Sequence, residues 1–234
     1  MSALQAIHAA RAASRSSLDE LAGKRLLAHF GVSVPNSVLV QADEVLAPKL
    51  AGLKPPFVLK VMSPDILHKS DAGGVRVGLQ DLSQLEEALQ AMRAQPAIAG
   101  ARIDGFLVEE MAPQGMEMVI GGLRDPQFGP LVMVGLGGIF VEVLQDVAFR
   151  ICPIERIDAL EMLEELKGRA LLDGARGQPA VSRQALVDVL LKVGGESGLL
   201  LTLGDEIAEA DLNPVIVSAH GAVAVDARFI LAAR

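Results

Sequence analysis

The 234-residue sequence contains no tryptophan and no tyrosine, and a single cysteine, Cys152. With seven phenylalanines as its only aromatic residues, the chain offers little for stacking bases or sugars. One cysteine excludes an internal disulfide framework and any multi-cysteine zinc site, and fits a reducing compartment. Positive charge is also in short supply. Lys and Arg number 21 against 29 Asp and Glu, so the net charge is −8. That sign argues against nucleic acid or an anionic membrane as the main partner, while a local basic site for a small phosphate ligand stays open. The longest nearly apolar run, Leu131 to Leu144, contains Glu142 and three glycines and is too short to span a bilayer as a helix. Arg11 and Arg15 near the N-terminus are followed by no apolar targeting segment. A soluble, cytoplasmic protein is therefore expected. Familiar site strings are missing too. No P-loop, Gly-x-Ser-x-Gly or His-Glu-x-x-His occurs, and Gly135-Leu136-Gly137-Gly138 fails as a dinucleotide fingerprint because Phe140 stands where its third glycine belongs.

What is present is a hydrophobic content of 51%, too high for a disordered chain. Residues 1–16 read as a tail or loose helix. Ser17 and Glu20 have capping-box spacing ahead of a stripe of Leu18, Leu21, Leu26, Leu27 and Phe30, closed by Gly31. Strands are expected at Ser37–Val40, Phe57–Val61, Val75–Val77 and Phe106–Val108, with a polar loop over 62–74. Ser83 and Glu86 suggest a second capping box before Leu85, Leu89 and Met92. Beyond residue 109 the texture shifts to hairpins. Strands near 117–123 and 131–134 flank a turn at 124–130. A helix over about 155–167 turns Ile157, Leu160, Leu163 and Leu166 inward, and another runs from Ser182 to Val193. The mixture predicts an α+β fold in two lobes, 17–108 and 109–234, with a hinge near 105–110.

Two places could carry chemistry. If the strands Val215–Val217 and Ala222–Ala227 form a hairpin around Ser218–Gly221, Asn213 falls opposite Asp226, with Cβ atoms about 5 Å apart, and Asp211 shares their face. Two or three oxygen ligands of this kind suit Mg²⁺; a solvated hairpin end with Asn-Pro turn chemistry is the alternative. Lys60, alone in an apolar strand, either snorkels at a sheet edge or meets a phosphate from a rigid element. The loop after it carries His68, Ser70, Gly73 and Gly74. The two glycines would let the backbone approach a phosphate closely, and His68 is either an ordinary surface residue or a reactive one.

Taken together these segments resemble a family. FVLKVMSPDILHKSDAGGV (57–75), VEEM (108–111), GLRDPQFGP (122–130), GLGGIFVEV (135–143), DLNP (211–214) and VDAR (225–228) are similar, in order and spacing, to the ATP-grasp β subunits of NDP-forming acyl-CoA synthetases. The nearest resemblance is to ADP-forming acetyl-CoA synthetase and a more distant one to succinyl-CoA synthetase. The likeness covers about residues 17–231. It implies an ATP-grasp fold whose two lobes clamp a nucleotide. Lys60 would contact the phosphates of ATP or ADP, together with the Ser70, Gly73 and Gly74 backbone. Glu110 and Met111 would receive adenine, largely through backbone groups, and Glu117 the ribose. Asn213, Asp226 and Asp211 would hold Mg²⁺. His68 matches the histidine that carries a phosphoryl group. Ala22 stands where many relatives have glutamate, two residues before Lys24.

The implied reaction is acyl-CoA + ADP + phosphate ⇌ acid + CoA + ATP, run with a CoA-binding α subunit in an αβ or α₂β₂ assembly. Two other readings keep the same nucleotide site: an ATP-grasp ligase that forms an acyl phosphate directly for an amine acceptor, and a non-catalytic nucleotide sensor.

Overall fold

The computed structural model describes residues 3–66, 68–138, 145–174 and 179–233. In chain order its elements are α1 (Ala3–Ala12), α2 (Glu20–His29), β1 (Ser37–Val40), α3 (Leu46–Lys49), β2 (Phe57–Met62), β3 (Val75–Leu79), α4 (Leu82–Arg93), α5 (Pro96–Ala99), β4 (Gly105–Glu110), β5 (Met116–Asp125), β6 (Gly129–Leu136), β7 (Val147–Ile151), α6 (Arg156–Glu165), α7 (Arg183–Gly194), α8 (Leu199–Thr202), β8 (Ile207–Ser218), β9 (Gly221–Ala224) and β10 (Arg228–Leu231). No described helix is long and apolar enough to cross a membrane.

Two compact units result, residues 35–112 and residues 1–34 with 113–234. Each crossing falls just before a proline, Pro35 and Pro113, which disfavours helix at the preceding residue. The sequence reading grouped 17–34 with 35–108. Leu18, Leu26, Leu27 and Val32 instead sit in the core of the larger unit. Residues 1–16 are no loose tail either: α1 buries Ile7 in that same core. Ala10 packs against that core too, and Arg11 of the same helix pairs with the distant Glu206 at 2.9 Å, a tie that no local pattern announces.

The smaller unit is a four-stranded antiparallel sheet in the order β1-β4-β2-β3. One face, with Phe57, Leu59, Val61, Phe106 and Val108, packs on Leu85, Leu89 and Met92 of α4 and on Ile98. The larger unit is an antiparallel sheet in the order β10-β8-β5-β6-β7, with β9 continuing along the edge of β8 that β10 also pairs. Its core face meets α2, α6 and α7.

Local signals were misread at three places. The cap of α2 is Asp19, whose Oδ1 accepts from the Ala22 N–H at 2.8 Å, rather than Ser17; Ser17 bridges to Ile230 instead. Asp81, not Ser83, caps α4 by accepting from the Gln84 N–H. Along α6 the inward face holds Ala159, Met162 and Leu163, with Leu166 just beyond its end, while Ile157 is 58% and Leu160 37% exposed. Leucine and isoleucine supply two overlapping stripes there, and only packing chooses between them. The cap of α7, Ser182, is where the sequence puts it.

Candidate functional site

Lys60 lies on β2, an inner strand, and so not at a sheet edge. Strand alternation sends it to the face opposite the core residues Leu59 and Val61. It is nevertheless buried, and its Nζ lies 3.0 Å from Oε2 of Glu109, itself 2% exposed. Register places Glu109 on β4 opposite Val58, diagonal to Lys60 on one face. Sequence reasoning missed Glu109. The signal was there: a lysine inside an apolar strand needs a counter-charge, and consecutive glutamates on a strand must point to opposite faces.

Glu110 points the other way. Its Oε2 accepts from Asn36 Nδ2 and its Oε1 from the Lys54 N–H, each at 2.9 Å. The Glu110 N–H donates to the Asn36 carbonyl and the Met111 N–H to that of Pro56. Both amide donors expected near adenine are thus engaged within this unit, and the Met111 side chain is exposed.

His68 is exposed at the start of a tight turn. Its carbonyl accepts from the Ala72 N–H, that of Ser70 from Gly73, and that of Lys69 from Gly74 at 2.7 Å. Arg76 Nη1 donates to the Gly73 carbonyl, and the Gly74 carbonyl accepts from the Val61 N–H. The turn is therefore closed on itself and tied to β2. Ser70 is exposed upon it. The two glycines have a local reason: Gly73 has φ +70°, and a Cβ on Gly74 would fall 2.4 Å from Val61 Cγ1.

In the larger unit, Glu117 is the second residue of β5, with its side chain exposed. Its carbonyl accepts from the Gly137 N–H at 2.7 Å, and a Cβ on Gly137 would meet the Glu117 backbone at 2.8 Å. The first glycines of that motif thus bring backbone against Glu117. Residues 139–143 of it lie outside the described residues.

The hairpin arithmetic holds on both sides of the acidic cluster. Val215 pairs with Ala224, and Asp211 with Arg228, in one unbroken register. Asn213 and Asp226 lie between, where the Val225 N–H still donates to the Pro214 carbonyl. A bulge sets Asn213 and Pro214 against the single residue Val119, which breaks the alternation of β8 and leaves Asn213 exposed. Asp226 Oδ1 accepts from the Ala227 N–H. Burial pushes the Asp211 carboxyl above its ordinary range, the charges of Asp226 and Glu209 add to this, and Arg228 opposes it.

No group of three or more His, Cys, Asp or Glu able to hold a metal occurs among the described residues. Two carboxylates and an amide are the available set. Mg²⁺ fits that set, because it keeps several waters and takes its remaining oxygens from phosphates, and a cation would offset the repulsion between Asp211 and Asp226. Cys152 takes no part. It is buried against the α7 terminus, and burial pushes its thiol up to about 11.

A family model described as ATP-grasp domain matches residues 9–231. The β subunit of ADP-forming acetate–CoA ligase I from Pyrococcus furiosus is 42% identical over 98% of this chain and 97% of its own. The ADP-forming acetate–CoA ligase I of Archaeoglobus fulgidus is 42% identical over 89% of this chain, which spans only 30% of that longer protein. Acetyl-coenzyme A synthetase 1 of Ca. Korarchaeum cryptofilum, solved with coenzyme A and Ca-AMPCP, superposes with a TM-score of 0.91 at 40% identity, covering 98% of this chain and all of that one. Other structures of the same enzyme carry a phosphorylated phosphohistidine segment, or Mg-AMPPCP with that segment pointing towards the nucleotide site. Matched almost from end to end by both sequence and fold, the chain belongs to the ATP-grasp family, in the branch of the ADP-forming acetate–CoA ligase β subunits.

Proposed function

We propose that this protein is the nucleotide-binding β subunit of an ADP-forming acyl-CoA synthetase, of the acetate–CoA ligase type, and that it relays a phosphoryl group through His68. The observation that carries the reading is the placement of His68, exposed on a self-closed turn that hangs from the strand bearing Lys60. A neutral imidazole is a nucleophile near neutral pH, and a histidine serving two sites must be carried outside the core.

In this reading a CoA-binding α partner forms the acyl phosphate and passes its phosphoryl group on. A ring nitrogen of His68 bonds to phosphorus as the donor's bond to phosphorus breaks. An oxygen of the ADP β-phosphate then attacks, the N–P bond breaks, and ATP leaves with a neutral imidazole restored. Lys60 draws charge from the phosphoryl oxygens. Ser70, Gly73 and Gly74 shape the turn that presents the histidine. Glu117 takes the ribose hydroxyls, and adenine lies against Glu110 and Met111, read through carbonyls and the Met111 side chain, since the amide donors there are engaged. Asn213, Asp226 and Asp211 would hold Mg²⁺, which when bound neutralises phosphate charge. Assembly with the α partner is αβ or α₂β₂.

The test is incubation of the full chain with Mg·ATP labelled at the γ-phosphate. An acid-labile, alkali-stable label is expected, absent in His68→Ala with nucleotide binding retained. A wild type that binds nucleotide but takes no label would overturn the relay.

A further inference from the structure

We propose that Arg76 is a positioning residue for the phosphoryl relay: it holds the Gly73 carbonyl and so sets the pose in which the turn presents His68. The inference deepens the functional reading and rests on His68 being the carrier.

Gly73 joins the exposed part of the turn to the part that is fixed. On one side of it, the Gly74 carbonyl accepts from the Val61 N–H of β2. On the other, His68, Ser70 and Asp71 are exposed, and the bonds from Ala72 to His68 and from Gly73 to Ser70 hold them together as a unit. Gly73 has φ +70°, and a glycine leaves that conformation for a negative φ at little steric cost. Rotation at this residue would swing the exposed part of the turn as a whole. An imidazole that must line up on phosphorus needs one pose selected, because group transfer depends steeply on the orientation of the reacting atoms.

Arg76 supplies the selection. Its Nη1 donates to the Gly73 carbonyl at 3.1 Å and to the Val75 carbonyl at 2.9 Å, which bridges the pivot to the first residue of β3. The side chain is half-buried, and a planar guanidinium keeps its donors in a fixed geometry. On the same pivot a Cβ at Gly73 would lie 3.6 Å from the Gln95 side chain, and Gln95 is itself fixed by backbone bonds to Met92 and to Ile98 and Ala99 of α5. The strand does not need the arginine for its own place: β3 is paired with β2 at Lys60–Val75 and Leu59–Arg76, and Gly74 is bound to Val61. What the bond to the Gly73 carbonyl adds is the direction of the turn.

A positioning role and a purely structural one separate by readout. The experiment follows the initial rate of acid-labile labelling at His68 from Mg·ATP labelled at the γ-phosphate, using full-length wild type, Arg76→Met and Arg76→Lys. Mg·ADP binding is measured by calorimetry and stability by a thermal melt of each. Positioning predicts that Arg76→Met labels about tenfold more slowly while Mg·ADP affinity and Tm stay at the wild-type values. Arg76→Lys, which keeps a cationic donor without the planar geometry, should fall between the two. A labelling rate in Arg76→Met equal to or above that of the wild type overturns the proposal, and so does a parallel loss of labelling and Mg·ADP affinity. If Arg76→Met does not fold, Arg76→Lys decides alone: slower labelling with Mg·ADP affinity kept supports positioning, and an unchanged or parallel response refutes it. Failure of the functional reading itself would look different, since the wild type would then bind Mg·ADP and take no label at all.

Discussion

Lys24 and Glu20 face each other one turn apart on α2, with Nζ 2.8 Å from Oε1 and both side chains almost wholly buried. The pair follows the i,i+4 geometry that stabilises exposed helices weakly, but here it lies where water cannot share the charge.

Removing one partner leaves the other charge buried, which costs about 3–5 kcal/mol. Lys24→Met should therefore lose that much stability in urea unfolding. Glu20→Leu combined with Lys24→Met should recover most of it, because an apolar pair of similar volume removes both charges. A double variant no more stable than Lys24→Met would refute the account.

Asp211 gives a pH dependence with a definite sign. Its carboxyl titrates above 3.8 in the fold, chiefly through burial and then through Asp226 and Glu209. The fold thus binds a proton more readily than the unfolded chain, and stability falls as pH rises from near 3.8 through the folded value. Asp211→Asn should raise the Tm at pH 7, and this gain should vanish as pH approaches 3.8. The same variant should show a smaller Tm rise on adding Mg·ADP, since ligand binding to the native state is lost in proportion. A Tm gain equal at pH 4 and pH 7 would contradict the stated cause.

The two apolar stripes of α6 make opposite predictions. Ile157→Lys lies on the exposed face and should change stability by no more than about 0.5 kcal/mol. Leu163→Ala opens a cavity in the core and should cost about 2–5 kcal/mol. Chemical denaturation of the two variants side by side checks which face is inward.

Much of the site was readable from sequence because its cues are local. The register of the β8–β9 hairpin follows from its four-residue turn, and it extends unbroken to the Asp211–Arg228 pair. The strand bearing Lys60 and the loop bearing His68 were likewise visible as an apolar run followed by a polar, glycine-ending one. Gly73 and Gly74 read from the sequence as room for phosphate approach, and the turn has its own need of them; a backbone constraint and a ligand constraint leave the same mark in a sequence.

The caps show where local cues fail. Ser17 and Asp19 both offer an oxygen at the head of α2, and only the course of the incoming chain, drawn to Ile230, decides between them.

The sequence by itself determined the register of the β8–β9 hairpin and the family, since turn length and motif order act over a few residues each. Tertiary structure alone decided that the first 34 residues pack with the chain's second half, which face of α6 is buried, and that Lys60 is answered by Glu109. Those outcomes depend on which surfaces meet across long separations, where burial and charge pairing outweigh any preference the neighbouring residues express.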